Sequence, residues 1–145
     1  MAIAAFNKFQ AFPEHIAEGV HNLQTGALKV YLTATAPNAS TMAVKADLSE
    51  TLTTTGGYTA LGQAATVSSS AQTSGTYKLV LADVTWTATG SGFGPFRYAV
   101  LYNDTPTSPA DPLIGWWDAG AAITLTVGQT FTVDFDPSLG VLTLT

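Results

Sequence analysis

The sequence predicts an all-β protein, a single two-layer antiparallel β-sandwich or jelly roll, entered through an extended N-terminal arm. Three observations predict it. From residue 27 onward, short stretches rich in Val, Thr, Tyr, Phe and Leu alternate with Gly, Pro, Asn and Asp clusters. Helical periodicity is confined to one short stretch near the start. The 145 residues suit one domain and contain no cysteine, so a hydrophobic core and not a disulfide framework must hold the fold. An immunoglobulin-like sandwich is the alternative, without the Cys-Trp-Cys core of antibody domains. No repeat of solenoid period is present.

We divide the chain into an arm, residues 1–12, and a sandwich domain, residues 13–145. The arm carries Phe6, Phe9 and Phe12 at intervals of three. Either these form one apolar face packed on the chain's own core, or they lie in a neighbouring subunit. Three uncovered phenylalanines would be a liability, so something must cover them. Residues 13–18 suit one helical turn, with Pro13 at its start, Glu14 at its positive end and Gly19 to stop it. A turn at 22–26 leads to a strand over 27–36, ended by Pro37-Asn38. Residues 42–52 are ambiguous, although Asp47 is placed to cap a short helical turn.

Residues 60–73 and 75–89 read as a strand pair. In the second strand Tyr77, Leu79, Leu81, Asp83 and Thr85 share one face, and Lys78, Val80, Ala82, Val84 and Trp86 the other. A glycine-rich loop at 90–95 feeds the central strand, 96–103. Both of its faces are largely apolar, with Phe96, Tyr98, Val100 and Tyr102 on one and Arg97, Ala99, Leu101 and Asn103 on the other. That marks an interior strand covered on both sides. Turn chemistry at 103–106 stops it. Strands at 113–118, 121–127, 129–136 and 141–145 finish the domain, and Thr fills many of the exposed slots.

Charge is sparse. Charged residues make up 10% of the chain, against about 25% in ordinary soluble domains, while 46% is hydrophobic. Solvent faces usually carry charge to prevent association, so we expect much of this surface to be covered by partners, or else kept wet by Thr and Ser in place of charge. The net charge is −5, and only five Lys and Arg are scattered along the chain. No basic patch exists for phosphates, and we expect no nucleic-acid partner. No apolar run approaches the ~20 residues of a membrane helix, and we expect no membrane partner. The opening residues lack the pattern of a secretory signal. The expected place of synthesis is the cytoplasm, with exit only as part of an assembly.

Catalytic and metal chemistry find little support. His15 and His21, the only histidines, are six apart across Gly19 and lack the spacing of two ligands on one helix face. Asp104, Asp111, Asp118, Asp134 and Asp136 would be needed for a loop-rim calcium site, but they form no EF-hand pattern. The glycines at 90–94 precede Pro95 and a strand, not the helix of a phosphate loop. No GxSxG occurs. We therefore expect no enzyme and no cofactor. Trp116-Trp117 is the most informative pair, because in a strand the rings face opposite sides. We assign Trp117 to the outward side as an interface aromatic; packing beneath the Pro-rich loop 105–112 is the structural alternative.

The segments FRYAVLYNDT (96–105), LIGWWDAG (113–120) and TFTVDFD (130–136), with the opening MAIAAFNKFQAF and LKVYLTATAPNAS (28–40), resemble a family of small structural proteins of tailed bacteriophages. The similarity runs over most of the chain and is weakest at 50–75. The resemblance implies a virion component, in particular a capsid cement or decoration protein on the capsid surface. Its partners would be the major capsid protein and further copies of itself, as a homo-oligomer. Phe6, Phe9, Phe12 and Trp117 would make the contacts. A tail-tube, tail-tip or fibre component is the alternative, and a virion carbohydrate-binding module using Trp117 and Tyr102 a more distant one.

Overall fold

Antiparallel pairing accounts for every named strand contact in the computed structural model, which describes residues 5–145. The elements are β1 (Asn7–Lys8), α1 (Phe12–Ala17), β2 (Leu28–Thr33), β3 (Gln63–Ala64), β4 (Val67–Thr73), β5 (Thr76–Leu81), β6 (Val84–Thr87), β7 (Phe93–Asn103), β8 (Leu113–Leu125), β9 (Thr130–Val133) and β10 (Leu142–Leu144). A single 3-10 turn covers Lys45–Asp47. One layer is a five-stranded sheet in the order β1-β8-β7-β2-β3. Facing it are β10-β5-β4 and β6-β9. Because β6 continues β5 after two residues, these two small sheets lie end to end. The fold is all-β and sandwich-like, as the sequence predicts.

The main core fills the space between the layers. Leu28, Val30, Leu32, Phe96, Leu101 and Trp117 enter from one side and Leu79, Leu81, Val84, Trp86, Phe131 and Phe135 from the other. A second apolar cluster lies on the opposite face of the five-stranded sheet, where Phe9, Tyr31, Leu48, Val100, Tyr102 and Leu113 are buried together. The central strand β7 is thus covered on both faces, which explains its two apolar sides.

Strict alternation fails at two places, each with a local cause. Phe96 pairs with Ile123 and Tyr98 with Asp118, so residues 119–122 of β8 oppose Arg97 alone and are extruded. This bulge shifts the phase of β7. Phe96 enters the main core with Ala99 and Leu101, while Tyr98, Val100 and Tyr102 face the second cluster. Between β5 and β6 the chain breaks at Ala82-Asp83, and the Asp83 carboxylate accepts the Phe135 N–H at 2.8 Å. The break turns Val84 and Trp86 to the same face as Leu79 and Leu81. The expected strand at 60–73 is divided, since β3 pairs with β2 whereas β4 pairs with β5. The expected strands 113–118 and 121–127 are one continuous β8.

Local chemistry shaped α1 and the 3-10 turn as expected. Pro13 sits in the first turn of α1, and Gly19, at φ +73°, follows its end. The Asp47 carboxylate accepts the N–H groups of Ala43 and Val44, at 2.9 and 3.1 Å. These two bonds hold its pKa below the ordinary value. Among the described residues, no helix is long and apolar enough to cross a membrane.

Candidate partner-binding surface

The N-terminal segment lies along the free edge of β8. Asn7 pairs with Trp116 and Lys8 with Gly115, and the Phe9 N–H reaches the Ile114 carbonyl at 3.2 Å. Extended backbone sends neighbouring side chains to opposite faces, so this short edge strand feeds both cores. Phe6 lies on the main-core side, its ring 5.3 Å from that of Trp117. Phe9 lies on the other side, 4.6 Å from Trp116. Phe12, at the start of α1, returns to the main core and meets His21 at 5.2 Å.

This placement corrects the arm reading for two of its residues. Phe9 and Phe12 are fully buried in their own chain and are not presented to a neighbour. Phe6 is half-buried. Residues 1–4, the rest of the expected arm, lie outside the described residues. The assignment of the tryptophans is also reversed. Trp117 pairs with Ala99, whose side faces the main core, and Trp116 with Val100, whose side faces the second cluster. Trp117 is 6% exposed and packs edge-on to Phe135 at 5.3 Å. It lies inside the main core and not on the outer surface. Trp116 keeps the partial exposure. Tyr102 is buried and its hydroxyl donates to the Leu61 carbonyl at 2.8 Å, so neither ring of the carbohydrate reading is offered to a sugar.

A polar network that the sequence did not announce closes the second cluster. The Lys45 ammonium sits 2.9 Å from the Glu50 carboxylate, and both side chains are largely buried, at 13% and 9% exposure. Glu50 also accepts the Tyr58 hydroxyl and the Leu61 N–H. Lys45 lies over the Tyr31 ring, 4.7 Å from its centre. The Tyr31 hydroxyl donates to the Leu48 carbonyl at 3.0 Å. Desolvation, and then the Glu50 charge, push the Tyr31 phenol far above its ordinary range; Tyr58 moves the same way. Every partner here is satisfied, so the network pins the 42–62 segment to the sheet and leaves no free acid or base.

The two histidines, distant by sequence rules, meet in space with ring centres 5.8 Å apart. His21 is buried, and Asn103 holds it. The Asn103 side-chain oxygen accepts the Thr105 N–H at 3.1 Å, which leaves its amide nitrogen facing His21 Nδ1 at 3.3 Å. Nδ1 is therefore the acceptor and Nε2 carries the proton. A metal at Nε2 would require Nδ1–H to find an acceptor, and Asn103 offers a donor instead. His21 Nε2 and His15 Nδ1 have no hydrogen-bond partner. Burial, and then the neighbouring His15, lower the His21 pKa to about 4. A cleft of about 410 Å³ beside His21 is lined by Ile16, Leu23, Ser70, Tyr77 and Leu144, and the Tyr77 hydroxyl there is 2.8 Å from that of Ser70.

Of the five aspartates of the calcium reading, Asp118, Asp104 and Asp136 are similarly engaged. Asp118 takes Arg97 through two bonds, at 2.7 and 2.9 Å, and also accepts the Gly120 N–H at the base of the extruded turn. Arg97, and then the Gly120 N–H, lower its pKa. Asp104 pairs with Lys29 at 2.6 Å. Asp136 accepts the N–H groups of Ser138 and Leu139. Among the described residues, no three His, Asp or Glu side chains are grouped to hold a metal ion.

What remains open on the surface is mostly uncharged. The runs 51–77, 84–96 and 119–133 contain no Asp, Glu, Lys or Arg. They supply the exposed strand β4, the extruded turn of β8, and a patch of threonines where Thr85 faces Thr132 and Thr87 faces Thr130 across β6 and β9. No family model matches this chain, and neither a curated protein nor a solved structure matches it.

Proposed function

We propose that this chain is a structural component of a tailed-bacteriophage virion, which binds the surface of the assembled capsid lattice and stabilises it without catalysing a reaction. The observation that carries the reading is the distribution of charge. Three long runs without a charged residue make up much of the exposed strand surface, where an isolated protein ordinarily keeps charge to prevent association. A surface of Ser, Thr and Ala remains hydrated when free and loses little when covered, because no ion must be desolvated. The sequence resemblance supplies the class of partner, a major capsid protein together with further copies of this chain.

Stabilisation would act by mass action. A subunit that binds the assembled shell better than free capsid protein adds its binding free energy to the shell. Modest contacts suffice when many copies act on one particle. Trp116 and Phe6, aromatics at the β1–β8 edge that the chain's own core covers only in part, are the side chains best placed for such a contact.

Particles assembled with and without the chain test the reading. Those lacking it should release their DNA at lower temperature, and adding the purified chain back should restore the wild-type temperature. Equal release temperatures, with the chain present in only a few copies per particle, would favour the tail component instead.

A further inference from the structure

We propose that β4 is a self-association edge, through which two copies of this chain pair antiparallel about a two-fold axis at Ala71 and join their small sheets into one. The proposal does not rest on the capsid reading, since it concerns the chain's own surface.

Edge strands offer a row of unpaired backbone groups, and proteins usually blunt them with charge, proline, shortness or a covering segment. Among the strands that end a sheet, the others hold four residues or fewer, whereas β4 holds seven; β8 is also unpaired beyond Trp116, but the extruded turn at 119–122 interrupts that edge. It pairs on one side only, with β5. Its sequence, Val-Ser-Ser-Ser-Ala-Gln-Thr, contains neither charge nor proline. The one irregularity is a register shift between Val67 and Ser69, beyond which the ladder runs unbroken from Ser69 to Thr73. Among the described residues, no backbone group of 68–73 makes a hydrogen bond outside the ladder with β5. Length, regularity and lack of charge together leave this edge without the usual protection.

A second copy is the occupant that fits. The chain carries a net charge of −5, so most faces of two copies would oppose carboxylates. The run 51–77 has none, and β4 lies within it. The charged neighbour of Ala71, Lys78 on β5, is engaged by the Ser138 carbonyl at 2.8 Å, so the edge strand itself offers a strongly charged partner nothing to pair with. Symmetry favours the same answer. The regular segment Ser69–Thr73 has Ala71 at its centre. An antiparallel self-pair about that centre sets Ala71 against Ala71, Ser70 against Gln72, and Ser69 against Thr73. Every cross-strand pair is small or able to hydrogen-bond, and none opposes like charges. A two-fold axis then makes each backbone bond twice.

The test uses the full chain in sedimentation velocity across a concentration series. Wild type should form a dimer. Ala71 is exposed and pairs with Lys78 on β5, so Ala71→Lys sets lysines against each other across the axis but also opposes Lys78 within the chain. Ala71→Glu instead gains an opposite charge at Lys78, should not lower the melting temperature, and still sets like charges against each other across the axis. Either substitution should weaken the dimer roughly tenfold or more. An equimolar mixture of Ala71→Lys and Ala71→Glu should recover dimer, because the opposed pair becomes Lys–Glu. The proposal is overturned if wild type stays monomeric up to roughly 1 mM, the weak end of specific association. A dimer indifferent to Ala71→Glu, or a mixture that fails to recover, overturns it as well.

Discussion

At the scale of single residues, the His21 pocket gives the chain a pH response with a definite sign. His21 is held neutral by burial and by the nearby His15, with its pKa lowered from 6.5 to about 4. The unfolded chain therefore binds this proton first as pH falls. The stability tied to neutral His21 is fully present above pH 6.5 and is lost progressively as pH falls towards 4. The full loss is about 3 kcal/mol. His15 is the titratable group facing His21, and Asn103 supplies the hydrogen bond that fixes its tautomer. Urea unfolding at pH 7.5, 6 and 5 should show this decline. His21→Asn should flatten it over the same range, because asparagine keeps an acceptor for Asn103 but binds no proton. An unchanged slope in the variant would assign the acid sensitivity to the carboxylates. Neither the juxtaposition of the two histidines nor the buried Lys45–Glu50 pair was legible in the sequence. The first depends on a loop after α1 and the second on the 42–62 segment folding over a sheet, and neither leaves a periodic trace.

At the scale of elements, β1 illustrates how a few residues bind a terminus to a sheet. Among the described residues, Asn7 and Lys8 pair with β8 and the Phe9 N–H adds one bond to Ile114, so the segment depends on Phe6 and Phe9 inserting on its two sides. Gly115 makes room for this. A Cβ there would collide with the Phe6 ring and the Asn7 carbonyl oxygen. Gly115→Ala should therefore release the segment around β1 while β7 and β2 stay protected. The expected readout is faster amide hydrogen exchange at 7–9 and stability lower by about 1–3 kcal/mol. Exchange unchanged at 7–9 would mean that the backbone pairing holds without Phe6. The spacing of Phe6, Phe9 and Phe12 correctly marked them as needing cover, but it did not say whose core provides it. Strand positions were legible wherever alternation persisted. Faces were misread in β5–β6 and β7 because a bulge and a chain break each reverse parity, and a single inserted residue leaves composition unchanged. The same parity decides the tryptophans, since the pairing of Trp117 with Ala99 sends it inward.

At the scale of the whole molecule, the all-β class was legible because it rests on many short segments at once, and errors in single boundaries do not alter it. The surface was only partly legible. Low charge was evident from composition, but its concentration into runs that become β4, the extruded turn of β8 and the threonine patch needed the topology. Aromatic residues that seemed free for partners turned out to hold the chain's own two cores together. What is left for recognition is a broad uncharged surface with Trp116 and Phe6 at one edge and β4 at another. Such a surface suits association with many identical neighbours better than capture of a small molecule. The most direct test is a cryo-EM reconstruction of the intact particle with the chain's position traced. A capsid-lattice subunit should give density for this fold repeated over the capsid lattice, with uncharged strand surface against its neighbours. Density confined to the tail, or none on the particle, would contradict that role.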